Sequence, residues 1–292
     1  MKRLTREHAV GSWGEETAPA ITVDPGETIL VETINHMTPI VRGPDDLHAH
    51  GSPEYREREE TGPIHVRGVR PGDALAIRIE KIDIVGLPHA HGGGPLRAIK
   101  SQRPMVFPPA EGRCEMPGGL SVAIRPMVGH IYTAAGPSAE PSPYPDSGGN
   151  MDFTEISPGN TLFLPVCREG GMLVLGDVHA FQGDGELYLE GGECAADVTL
   201  TLDVDRTYRH PRPLVETPES LIGLGCRGGL FESIQLVLGD MTALVSRLTG
   251  AGEEEAYIFC AMVGSVRLAG CLGSERGAQH PLVALSIPKE FR

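Results

Sequence analysis

Apolar and polar positions alternate with a period of two over much of the first 205 residues, and the period lengthens only near the C-terminus. Alternation of that kind marks strands with one buried face. Residues 21–24 and 28–34 read as two strands, with Pro25-Gly26 between them as a hairpin turn. Further strands are expected at 64–69, 74–84, 120–125, 129–134, 159–166, 171–175 and 197–204. The polar, proline-bearing stretch 35–61 reads as a long loop, and 86–120 as irregular chain. Residues 136–149, rich in Pro, Ser and Gly, read as a loop able to cover a site. Between 231 and 249 the pattern changes. Ile234, Val237, Leu238, Met241, Leu244, Val245 and Leu248 fall at helical spacing, and Gly250 is the expected stop. A second helix is expected from Glu253-Glu254-Glu255, acids that suit the positive end of a helix dipole. A last strand covers 282–287. The pattern thus predicts a mainly β protein with a β-rich part at 1–205 and an α+β part containing a helix pair at 206–292, or one continuous domain.

Composition narrows this picture modestly. With 292 residues and 40% hydrophobic content, the chain can bury a sizeable core. Its 38 glycines and 25 prolines show no collagen-like period and fit many short strands joined by tight turns. A net charge of −14 with no basic patch argues against nucleic acid as a partner. No apolar run reaches the ~18 residues of a membrane span, and residues 1–8 lack the apolar core of a secretory signal. A cytoplasmic protein is expected. The six cysteines form no Cys-x-x-Cys pair, so buried free thiols are expected rather than a zinc–thiolate site.

Candidate chemistry concentrates in Gly176-Asp-Val-His-Ala-Phe-Gln-Gly-Asp-Gly-Glu186, which follows the apolar run 171–175. Asp177 and His179 are two apart, so on an extended chain both project to one side of the sheet. Asp184 and Glu186 repeat that spacing. Carboxylate and imidazole donors converging from a strand end suit a hard or borderline divalent cation such as zinc or calcium. On spacing alone a solvated acidic turn reads the same residues equally well. Asp152 would otherwise be a turn or N-cap residue before Phe153, and Asp184, between two glycines, a turn former.

The run 176–186, together with Gly148-Gly-Asn-Met-Asp152 and Leu162-Phe-Leu-Pro-Val166, resembles the signature of the acetamidase/formamidase family. Val23-Asp-Pro-Gly-Glu27, Thr61-Gly-Pro-Ile64, Val69-Arg-Pro-Gly-Asp73 and Val122-Ala-Ile-Arg-Pro-Met-Val-Gly129 extend the likeness in order along nearly the whole chain. The resemblance implies a jelly-roll-like β-sandwich with a smaller α+β part, commonly a homodimer or higher oligomer. It also implies metal-dependent hydrolysis of a small aliphatic amide to carboxylate and ammonia. Within it, Asp152, Asp177 and His179 are the expected metal ligands and Glu186 the general acid/base, with Asp184 as alternate. Asn150, Gly183 and Gly185 are expected to position substrate, the glycines offering N–H donors to a developing oxyanion. The chain departs from the family at Ser147, where relatives usually have histidine; a ligand-binding member without catalysis is the alternative this suggests. A second alternative is a cupin-like metal enzyme using His48, His50 and Glu54. His89 and His91, before three glycines, read as a surface loop or a contributor to the site.

Overall fold

Strands buried on both faces occupy the middle of the molecule, and their apolar content explains why. A computed structural model of the protein describes residues 1–10, 17–35, 40–47, 60–96, 104–135, 146–270, 272–273 and 275–291. Among these, the strand Leu173–His179 is buried at every position, and Glu60–Val66 at all but one. Glu193–Asp205, by contrast, alternates from Ala196 to Leu202, as a half-buried strand should.

The described strands form a sixteen-stranded sheet and a separate three-stranded one. The main path through the large sheet runs Gly148–Asn150, Met127–Tyr132, Leu173–His179, Glu193–Asp205 and Ala74–Ala90. It continues through Thr161–Pro165, Leu214–Glu216, Ser220–Gly225, Leu282–Pro288 and Ser265–Ala269. The fold is mainly β. Three helices are described, Leu230–Thr249, Glu253–Val263 and the short Glu275–Gln279. The first two are the pair that the periodicity predicts. The first packs Val237, Met241, Leu244 and Val245 into a second core with Leu221, Val283, Leu285 and Ile287 from the sheet. Gly250 ends it with a left-handed backbone, φ 77°.

Three expectations fail. Pro25-Gly26 does turn the chain, with Glu27 N–H donating to Asp24 O at 3.0 Å, but its flanking strands do not pair with each other. Ile21–Val23 runs parallel to Ile64–Val66, while Glu27–Glu32 pairs with Lys2–Leu4 and Glu193–Asp205. Residues 86–120 are not irregular throughout. The strand from Ala74 continues to Ala90, and Pro109–Ala110, Arg113–Met116 and Leu120–Ala123 form the small antiparallel sheet. That sheet covers a third apolar cluster around Ala90, Phe107 and Cys114, packed with Met105, Met116, Phe181 and Tyr188. Two of its strands are too short to show a period, while Leu120–Ala123 lies within the strand expected at 120–125. Cys167 is exposed, whereas Cys114, Cys194, Cys226 and Cys260 are buried free thiols as expected. Among the described residues no helix is long and apolar enough to cross a membrane.

Candidate active site

Strand pairing brings the acidic groups together. His179 closes Leu173–His179 directly opposite Glu193, the first residue of Glu193–Asp205. On its other side, Leu173–His179 pairs with Met127–Tyr132, which in turn pairs with Gly148–Asn150. That second ladder places Asp152, two residues past its end, beside Asp177: both carboxylates crowd the bare Cα of Gly129. A Cβ built there would meet Asp152 Oδ1 at 2.6 Å and Asp177 Oδ2 at 3.0 Å. Glycine at 129 is what lets two carboxylates share this floor.

The donor atoms fall into two overlapping groups. Ligand-capable atoms of Asp152, His179 and Glu186 lie within 4.8 Å of one another, and so do those of Asp177, His179 and Glu193. Four buried carboxylates therefore surround one imidazole, itself fully buried. His179 Nε2 stands 3.0 Å from Glu193 Oε1 and 3.4 Å from Asp177 Oδ1. Its tautomer follows from Gln182. The Gln182 amide donates from Nε2 to the Asp152 carbonyl at 2.7 Å, which turns Oε1 toward His179 Nδ1. Nδ1 must then carry the proton, leaving Nε2 to face the carboxylates. Asn150 Nδ2 donates to Asp152 Oδ2 at 2.8 Å, while Asp152 Oδ1 and Glu193 Oε2 are buried without a hydrogen-bond partner.

Electrostatics express the same crowding. Burial, then the charges of Glu186 and Asp177, push the Asp152 carboxyl well above the usual carboxylate range. Burial likewise raises Glu193 to about 7, against the opposing pull of His179. Burial disfavours an imidazolium at His179, but Glu193 and Asp177 outweigh it and raise that pKa well above its ordinary value. Bringing this many acids out of water is costly unless a cation offsets them. Oxygen and imidazole donors with two orphaned carboxylate oxygens fit a divalent cation. Asp152, Asp177 and Glu186 also hold left-handed backbone, φ 42°, 54° and 40°, a conformation that costs energy in non-glycine residues.

The candidate residues do not all meet. Asp184 is not in the donor cluster and is tied into a network with Arg267, whose Nε lies 2.7 Å from Asp184 Oδ2, and with Thr154. Gly185 is backed by Leu272, with its carbonyl accepting Leu272 N–H at 2.8 Å. Gly183 lines a cavity of about 510 Å³ together with Gln182, Asp184, Glu186 and Glu190. Of the four clustered carboxylates, Glu186 is the one on that wall. Sequence reasoning missed Glu193 and Gln182. Glu193 follows Gly191-Gly192, and a Cβ on Gly191 would lie 2.5 Å from His179 Nδ1, so this pair of glycines was the available signal. His130 pairs with Glu60, and His89 is fully buried with Nε2 unpartnered. Ser147 is buried, its carbonyl accepting Thr133 N–H at 3.0 Å. His48, His50 and Glu54 lie outside the described residues.

Comparison with known proteins finds relatives of the sequence and of the fold. Residues 97–218 match the family model of the acetamidase/formamidase family. The fold is similar to the crystal structure of a predicted acetamidase/formamidase from Thermoanaerobacter tengcongensis, with TM-score 0.87 and 27% identity over 98% of this chain and 95% of that one. A Schizosaccharomyces pombe protein named as a provisional formamidase is 24% identical over 253 residues, 64% of this chain and 62% of its own length. The acetamidase of Mycolicibacterium smegmatis is 43% identical over 57 residues, 20% of this chain and 14% of that protein. The chain thus spans about three fifths of the length of the longer-matching curated relative. Matched segment, shared fold and partial sequence identity point the same way: the chain is similar to members of the acetamidase/formamidase family.

Proposed function

We propose that the protein is an amidohydrolase that cleaves a linear amide to a carboxylate and ammonia and depends on a divalent cation, zinc or calcium. One observation carries this reading: four buried carboxylates converge on His179, and one of them, Glu186, opens onto the cavity. Asp152, Asp177 and His179, with Glu193 added, would hold the cation, which when bound supplies carbonyl polarisation and a lowered pKa for water.

The remaining chemistry belongs to side chains. Glu186 takes a proton from the attacking water and returns it to the amide nitrogen as the C–N bond breaks, so that ammonia rather than an amide anion departs. Asp184, held by Arg267 on the same wall, is the alternate for that role. Gln182 fixes the His179 tautomer and Asn150 fixes Asp152, so neither group needs to reorient during the reaction. Gly183, on the cavity wall, is the candidate N–H donor to the oxyanion, with Gly185 behind it. Burial on both faces of Leu173–His179 supports the jelly-roll-like sandwich expected from the resemblance.

Ammonia release from formamide, acetamide and larger amides, measured before and after chelation, tests the reading. Release that chelation abolishes and one of the two metals restores is the expected result. No release from metal-loaded protein would sink it and leave a ligand-binding relative, with Ser147 the first position to examine.

A further inference from the structure

We propose that the cavity beside Glu186 is built for uncharged amides carrying an apolar substituent about the size of an aryl ring, in preference to formamide or acetamide. This rests on the amidohydrolase reading above and concerns the same site.

Size is the first argument. Cavities of about 300–1,000 Å³ hold drug-sized ligands, and this one measures about 510 Å³. Acetamide has four non-hydrogen atoms and fills about the space of three or four waters at ~30 Å³ each. A molecule so small would leave most of the wall in contact with water.

The second argument is the character of that wall. Met105, Phe107, Met116, Phe181 and Tyr188 all line the cavity and belong to one apolar cluster. Phe107 and Phe181 meet edge to face, with ring centroids 5.4 Å apart, and Phe107 is only 3% exposed. Phe181 is held from behind by Gly192, where a Cβ would lie 2.6 Å from its ring. Two fixed rings flanked by two flexible thioethers make a surface that accommodates flat apolar groups of varied outline. Gln182, Glu186 and Glu190 supply polar groups to the same lining. An amide head bonded to these few polar groups and a ring against the apolar ones match this lining. The carboxylates there disfavour a substrate that is itself anionic.

The test compares 2-phenylacetamide with acetamide on the purified, metal-loaded full chain. A buried phenyl group predicts kcat/KM at least about tenfold higher for phenylacetamide. Met116→Trp, which fills the cavity from the small sheet, is expected to lower the phenylacetamide-to-acetamide ratio by about tenfold. Reading the ratio within one protein removes any general loss of folding. Equal or better use of acetamide by the wild type, or a ratio unmoved by Met116→Trp, would overturn the proposal. Calorimetric binding of the same two amides separates this proposal from the one it rests on. Tighter binding of phenylacetamide that Met116→Trp abolishes upholds the cavity assignment even if neither amide is hydrolysed, in which case only the hydrolase reading falls. Equal affinities for the two amides would overturn it.

Discussion

The backbone at Gly129 touches both Asp152 and Asp177, so one added methyl reports on the whole acidic cluster. Gly129→Ala must displace at least one of those carboxylates, and a misplacement of about 1 Å costs on the order of a hundredfold in rate. Such a loss in kcat/KM, with an unchanged far-ultraviolet spectrum, is the expected result; full activity would show that the two carboxylates need not sit so close. Protonation offers a second test at this scale, in the chelated protein. Folding raises the Glu193 carboxyl from 4.5 to about 7, chiefly by burial. Its contribution to stability is therefore full below about pH 4.5 and is lost as pH rises through about 7. His89 works in the opposite sense. Burial lowers it from 6.5 to about 4, so its share is present above 6.5 and lost as pH falls toward 4. Comparing Tm of chelated wild type and Glu193→Gln isolates the first effect. The wild type should lose stability relative to the variant between about pH 5 and 7; parallel curves would contradict the assignment. Asp152, Asp177, His179 and Glu186 were legible in the sequence because they sit in two ordered motifs. Glu193 was not, because strand pairing rather than sequence spacing brings it to His179.

Elements divide by whether they carry their own period. The helix Leu230–Thr249 does, over five turns, and both its face and its stop were readable. Gly250→Ala forces a left-handed backbone on a residue with a Cβ and should cost about 1 kcal/mol, seen as a lower denaturant midpoint with unchanged m-value. No change would mean that the helix end frays without penalty. Strands were readable where they alternate, as in Ala74–Ala90, but their partners were not. Ile21–Val23 and Glu27–Glu32 look like a hairpin locally, yet each finds a longer partner elsewhere in the sheet. Pro109–Ala110 and Arg113–Met116 escaped notice because such short strands leave no pattern to count, whereas their partner Leu120–Ala123 lies within the strand expected at 120–125.

Across the whole molecule, Arg267 ties the strand Ser265–Ala269 to the signature loop. Its guanidinium reaches Asp184, Glu155 and Thr154 and lies 5.0 Å over the Phe153 ring. Arg267→Ala removes charge-assisted hydrogen bonds and that ring contact, and should cost about 2 kcal/mol, read from urea unfolding. A cost below about 0.5 kcal/mol would show the network to be no stronger than an exposed ion pair. Chelation should lower Tm as well, since a ligand that binds only the folded state stabilises it; an unchanged Tm would argue that no cation was resident. Gly191 and Gly192 seat the rings of His179 and Phe181 on neighbouring residues, so the imidazole and one cavity wall share a single short stretch of backbone. Another part of the lining comes from Met116, on a sheet with its own hydrogen-bond ladder. New specificities can therefore evolve cheaply from that detached sheet, while the glycine pair is closed to variation because any change there disturbs the reaction along with the fit.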